Sequence, residues 1–238
     1  EDGPLFMLAE WGDEPRHFDA AFDINYGWEF HKLLNRIAEG QESDPVGAIW
    51  EYQLRDSARF APYAYHLNFT TNHDENSWNG TEFERMGELA DMLWVICATF
   101  EGAPLIYSGQ EEPLRHSLAF FEKDDIGFRE YAKASFFQRF LQLKSTTPAL
   151  YNGIAGARAE RIPLADKFNK VLGYSRMDNG RGIRAFFNFE EEDIRLPARA
   201  FPANEDWIDI MTDRVVGAKQ DSIALFLPAG GFKVFHRK

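Results

Sequence analysis

An α/β fold followed by a small antiparallel β domain is what this sequence predicts, and three observations carry the prediction. Short apolar runs that end in polar residues alternate with segments of helical period as far as Lys144. Beyond Thr146–Gly153 the pattern changes to short strand-like runs separated by turn residues. Between two of those runs stands Asp178-Asn179-Gly180-Arg181, a strong hairpin signal. The predicted domains are residues 1–150 and residues 151–238.

Leu5-Phe-Met-Leu-Ala9, after Gly3-Pro4, is wholly apolar and ends at Glu10-Trp11, the pattern of a strand buried on both faces of a parallel sheet. Ala20–Asn25 predicts a weaker second strand. Phe30, Leu33, Leu34 and Ile37 fall at helical spacing between Trp28 and Ala38, with Gly40 as the stop. Asp44-Pro45 opens another helix, carrying Ile49, Tyr52, Leu54 and Phe60. Tyr65–Phe69 is a further apolar strand, and it runs straight into Asn72-His73-Asp74. Glu82–Phe100 predicts one long, largely buried helix. Gly102–Glu111 predicts a short strand that again ends in polar groups, and Tyr131–Lys144 a helix. Lys170–Met177, Gly182–Phe189, Asp206–Met211, Ile223–Leu227 and Phe232–His236 are the strands of the β domain. Pro202, Gly217 and Pro228–Gly231 punctuate them. About four βα units are present, where a closed barrel needs eight.

The net charge of -12 argues against nucleic acid and anionic membrane surfaces, and no apolar segment reaches transmembrane length. Acidity with an aromatic fraction of 15% suits a neutral, stacking ligand such as a sugar. Cys97 is the only cysteine, so no internal disulfide and no cysteine-based zinc site can form. It reads as a small core residue. His17, His31, His66 and His116 show no metal-ligand spacing, and no cofactor is expected in this chain. The chain opens without Met and within a few residues of a strand, so a segment upstream is expected to have been removed. The compartment is left open, with an extracytoplasmic or secreted one preferred.

Interiors do not tolerate imidazole, carboxylate and amide together unless these pair or do chemistry. Three strand ends carry such groups: Glu10, then Asn72-His73-Asp74, then Tyr107 with Glu111. In a (β/α) barrel all such ends share one face, so residues about 65 apart can converge. Two carboxylates and an imidazole in an aromatic-lined cleft suit glycoside cleavage, with one carboxylic acid protonating the leaving oxygen. Asn72, Trp11, Trp78 and Tyr107 are the candidate substrate contacts, the three rings by stacking. The plainer alternative makes Asp74 or Asn76 the cap of the helix that follows. Asp23 and Asn25 read as turn residues, and Trp28, Trp50 and Trp94 as core. Asn68 and Asn79 begin glycosylation patterns that carry no weight alone.

At these residues the sequence resembles the alpha-amylase family, glycoside hydrolase family 13. Phe6-Met-Leu-Ala-Glu10-Trp11 is similar to the family's fifth-strand motif, and Phe69-Thr-Thr-Asn72-His73-Asp74 to its seventh. Gly102-Ala-Pro-Leu-Ile-Tyr107-Ser-Gly109-Gln-Glu111 resembles the eighth. The resemblance implies half of a (β/α)8 TIM barrel, strands five to eight, followed by the family's small antiparallel β-sandwich domain. It implies Glu10 as general acid/base, Asp74 as the carboxylate that holds sugar hydroxyls and stabilises the transition state, and His73 as a hydrogen-bond donor to the same sugar. The implied partners are an α-glucan and the remaining half-barrel or a second copy of this chain. Calcium would belong to the absent half.

The family's nucleophilic Asp and its first four strands have no counterpart here. Gly127-Phe128-Arg129-Glu130 imitates the nucleophile motif, but no apolar strand precedes it, and Glu130 reads as a solvated carboxylate at a helix start. Trp11 directly after Glu10, and Glu112-Pro113 where the family has Gly, are smaller departures. The expected parent is a retaining hydrolase, with this chain alone inactive. The alternatives are an inactive sugar-binding or structural module, and an isomerase or transglycosylase on the same fold.

Overall fold

The structure, a computed structural model, describes residues 5–12, 14–197, 205–216 and 225–237. Its first sheet has four parallel strands in sequence order. β1 (Leu8–Ala9) is linked by α1 (His17–Ala20) to β2 (Ile24–Tyr26). α2 (Trp28–Ala38) and α3 (Pro45–Arg59) lead to β3 (His66–Asn68). α4 (His73–Trp78), α5 (Glu82–Met86) and α6 (Ala90–Thr99) lead to β4 (Ala103–Pro104). Parallel neighbours need crossovers of this length, because a tight turn can only reverse the chain.

Local chemistry sets most of these boundaries. Phe30, Leu33, Leu34 and Ile37 form one buried stripe along α2. The Asp44 carboxylate accepts the Gly47 amide at 2.8 Å and Pro45 takes the first turn, so α3 starts there. Ile49 and Tyr52 face inward as expected, but Leu54 lies on the outer face at 70% exposed and Phe60 lies past the helix end.

Three expectations need correction. Leu5 to Leu8 are exposed and only Ala9 of this run is buried, because among the described residues β1 pairs with β2 alone and forms an edge. Glu82–Phe100 is not one helix. A capping box between Thr81 and Glu84 starts α5, and Gly87, at φ +54°, ends it. A 3-10 turn over Gly87–Leu89 then leads into α6, buried at every residue but Asp91. Asn25, expected in a turn, lies buried within β2 and donates its amide to the Gly12 carbonyl at 2.9 Å.

After α7 (Ala134–Thr146) come β5 (Glu160–Arg161), β6 (Val171–Asp178), β7 (Arg181–Asn188) and β8 (Ile194–Leu196). β9 (Trp207–Asp209), β10 (Val215–Val216), β11 (Leu225–Leu227) and β12 (Phe232–Arg237) complete the order. Six of them form an antiparallel sheet, β10-β9-β12-β7-β6-β5, and β11 pairs with β8. Asn179 and Gly180 turn the β6–β7 hairpin at φ +49° and +78°. Gly3-Pro4, Pro202, Gly217 and Ile223 lie outside the described residues.

One apolar cluster joins α2, α3, α6 and α7 to β6, β7 and β12. Arg176 of β6 is buried in that seam, with Nε on the Ala157 carbonyl at 2.8 Å and Nη2 on that of Tyr151 at 2.9 Å. Its Nη1 donates to the Phe100 carbonyl at the end of α6. Trp94 and Cys97 are core residues. Trp28 and Trp50 are half-buried against the rings of Tyr26 and Phe100. Among the described residues no helix is long and apolar enough to cross a membrane.

Candidate active site

β3 runs into the buried segment Phe69-Thr70-Thr71-Asn72, and the chain then turns at once into α4. Asn72 makes that turn, its side-chain oxygen accepting the Glu75 amide at 2.8 Å. The cap is therefore Asn72, not Asp74 or Asn76, and it makes His73 and Asp74 the first two residues of α4. Glu10 emerges two strands away, at the end of β1.

The turn brings the three together. His73 Nε2 lies 3.1 Å from Glu10 Oε1 and 3.7 Å from Asp74 Oδ1. One ligating atom from each falls within 4.8 Å of the others, a spacing that suits either a cation or the hydroxyls of a polyol. Tyr26 ends the intervening strand, β2. Burial raises its hydroxyl pKa, and the negative charges of Glu10 and Asp74 push the same way. Nothing in the sequence singles Tyr26 out except that it closes the one strand end with no charged group.

Two polar networks, one half-buried and one buried, hold this face in place. Glu75 of α4 meets His31 Nε2 of α2 at 3.1 Å and Arg85 Nη1 of α5 at 3.7 Å. Arg85 also donates to Asn35 Oδ1 and to the Thr70 carbonyl, each at 2.9 Å. Burial alone would raise the Glu75 pKa, but the His31 hydrogen bond and the charges of His31 and Arg85 outweigh it and hold the carboxyl below its ordinary range. In the second network Glu82 Oε2 accepts from Thr70 Oγ1 at 2.7 Å and from Gln110 Nε2 at 2.6 Å. Gln110 Oε1 in turn accepts the Tyr107 amide at 2.8 Å. Burial raises the Glu82 pKa despite those donors. Glu75, His31, Arg85, Glu82 and Gln110 escape sequence reasoning, since each has its meaning only through a partner on another element.

The remaining candidates are spread around the cluster. Trp11 and Trp78 are 67% and 60% exposed. Tyr107 is half-buried and lines a cavity of about 250 Å³ with His73, Ser77 and Phe120. Asn72 is buried, its oxygen engaged by the cap and its amide nitrogen without a partner among the described residues. Glu111 does not join the cluster: its carboxylate folds back onto the Gly109 amide at 3.1 Å. Glu130 is exposed in the loop before α7, not at a helix start, and its amide donates to the Glu112 carboxylate.

No family model matches the chain. It is 25% identical over 230 residues to the alpha-amylase MalA of Haloarcula japonica, an alignment that covers 94% of this chain and 32% of the relative. Among solved structures it is similar to a noncanonic maltogenic alpha-amylase, AmyB, from Thermotoga neapolitana. That match has a TM-score of 0.73 at 18% identity and covers 98% of this chain and 54% of the other. AmyP in complex with maltotriose gives a TM-score of 0.69 at 12% identity, covering 97% and 55%. The chain thus spans about a third of the curated relative and about half of each solved structure. In sequence and in fold, and over nearly its whole length, the chain resembles the alpha-amylases.

Proposed function

We propose that this chain is the C-terminal half of the catalytic barrel, with the following β domain, of a retaining glycoside hydrolase that acts on α-glucans. The observation that carries the reading is the contact of Glu10 with His73 across two strand ends, with Asp74 beside them. In this reading β1 to β4 are strands five to eight of the barrel, residues 1–150 its second half, and residues 151–238 the β domain. Support comes from what stands uncovered. Among the described residues β1 and β4 each pair on one side only, and Leu5, Phe6, Met7 and Leu8 are exposed. A cleft of about 1100 Å³ opens beside Tyr65, Ile106, Glu111 and Leu141. The other half-barrel would close both edges and fill that cleft.

Glu10 protonates the glycosidic oxygen and later takes a proton from the attacking water. His73 donates a hydrogen bond to a hydroxyl of the same sugar, and Asp74 grips hydroxyls and stabilises the oxocarbenium charge. Trp11, Trp78 and Tyr107 contact the sugar rings, while Asn72 fixes the turn that presents His73 and Asp74. The retaining route needs a nucleophilic carboxylate about 5–5.5 Å from the acid. We assign that role to an Asp outside this chain, and any calcium site likewise. AmyP, crystallised with maltotriose, supports an α-glucan as the ligand class. Three chemically capable groups in mutual contact favour a working enzyme over an inactive module. Assays on starch, maltooligosaccharides, sucrose and trehalose separate hydrolysis from isomerisation or transglycosylation.

The test is to purify residues 1–238, confirm the mass, and assay maltooligosaccharides beside the full-length protein and an Asp74→Asn variant. The full-length protein should turn over, and the 238-residue chain should be inactive and should self-associate or capture the other half. Asp74-dependent turnover by a verified monomer of these residues overturns the half-site reading.

A further inference from the structure

Ala9, Asn25 and His66 lie side by side across β1, β2 and β3. Residues in one such rung share a face of the sheet. Asn25 and His66 turn to the helix-covered face, where the His66 ring stands edge-on to Phe60 at 4.7 Å and to Phe18 at 6.2 Å. Glu10 follows Ala9 and reaches His73 instead.

The donors and acceptors of this rung settle its orientation. The Gly12 carbonyl can only accept, so Asn25 presents Nδ2 to it, at 2.9 Å. Asn25 Oδ1 then faces His66 Nδ1, which must donate. His66 Nε2 meets Asp56 Oδ1 of α3 at 2.9 Å, and a carboxylate accepts as well. Both ring nitrogens therefore donate, and His66 fixes which way round the Asn25 amide sits. Setting an amide and an imidazole in the interior costs free energy that apolar side chains there would not. Among the described residues the side-chain hydrogen bonds of Asn25, His66 and Asp56 reach one group outside the three, the Gly12 carbonyl.

Gly12 stands two residues past Glu10. β1 is two residues long, and its pairing with β2 ends at Ala9. Beyond that rung the Asn25 bond holds the chain against β2. The fit is close, since a Cβ on Gly12 would stand 2.7 Å from the Tyr26 carbonyl oxygen.

We propose that Asn25, oriented by His66 and Asp56, positions Glu10 by tying down the turn at Gly12, an assignment that rests on the glycosidase reading. A general acid must stand within hydrogen-bond reach of the leaving oxygen. A displacement of about 1 Å costs about 10²-fold in rate. Asn25 is fully buried and touches no substrate, so it acts through the backbone that carries Glu10.

The experiment uses the full-length protein with Asn25→Asp and Gly12→Ala. Asn25→Asp keeps an acceptor for His66 but sets a carboxylate against the Gly12 carbonyl. Gly12→Ala drives the turn off Tyr26 and leaves the three buried side chains intact. Both should lower kcat/KM on maltoheptaose about 10–10²-fold. On α-maltotriosyl fluoride the leaving group departs as an anion and needs no proton from an acid, so kcat/KM should stay near the wild-type value. That split marks a misplaced acid, whereas a damaged site loses both substrates together. If Asn25→Asp does not fold, Gly12→Ala decides by the same split. Parallel losses on both substrates show a merely structural role and overturn the positioning. Unchanged rates on both substrates, with Glu10→Gln inactive on maltoheptaose, also overturn it and leave the glycosidase reading intact. Full turnover of maltoheptaose by Glu10→Gln defeats the glycosidase reading, and the positioning with it.

Discussion

His73 Nε2 lies 3.1 Å from Glu10 Oε1, and the contact spans from the end of β1 to the first turn of α4, across β2. Glu10 is exposed and its carboxylate supports no buried structure, so its loss can be read as chemistry. In the full-length protein Glu10→Gln is expected to lower kcat on maltooligosaccharides by about 10²–10⁴-fold with the melting temperature unchanged. Steady-state rates and a thermal scan on the same preparation check both halves of that statement.

Glu75 is the half-buried counterpart of Glu10. Its neutralisation in Glu75→Gln leaves His31 and Arg85 facing an amide, and should cost about 1.5–3 kcal/mol, the range of a hydrogen bond to a charged group, in a urea titration at pH 7. The pH dependence follows from the direction of its shift. The folded carboxyl titrates below its unfolded value of about 4.3. Its contribution is therefore present above that pH and lost as pH falls through the lower, folded value. The difference in stability between wild type and Glu75→Gln should shrink on acidification below about pH 4.

Lys144 of α7 donates to the Leu150 carbonyl at 2.8 Å, beside the large cleft. Burial, and then the nearby charge of Arg176, bring its pKa down to about 7. The unfolded amine titrates near 10.4, so between about pH 7 and 10.4 the unfolded chain binds more protons. Stability from this group therefore rises with pH across that window, and its penalty is full below pH 7. Denaturant midpoints at pH 7 and 8.5 should show that rise in wild type relative to Lys144→Met. Equal slopes in the two proteins would refute it.

Gly180 holds φ +78° in the β6–β7 hairpin, and a Cβ there would meet nothing within 4 Å. Gly180→Ala therefore tests backbone conformation alone. It should cost about 1–2 kcal/mol, the penalty of a left-handed residue with a side chain, with the slope of the urea transition unchanged.

The sequence by itself determined what is decided within a few residues. Helical spacing marks Trp28–Ala38, Asp44-Pro45 marks the start of α3, and Asn179-Gly180 marks the hairpin, because period, cap and φ are local properties. Glu10, His73 and Asp74 could be named as candidates, since each follows an apolar run. That His73 touches Glu10 is decided by the β1-β2-β3 order and by the Asn72 cap, neither of which is written beside Glu10. Leu5 to Leu8 read as a doubly covered strand, yet an apolar run states only what would gain from burial, not what lies there to cover it. Glu75, one residue past the motif, acquires a role only when α2 and α5 bring His31 and Arg85 against it. Phe120 sits in a loop without periodicity, and only the contacts of Asn76 and Trp78 place it beside His73. Pairings between elements depend on the path of the whole chain, so the tertiary structure alone decides them.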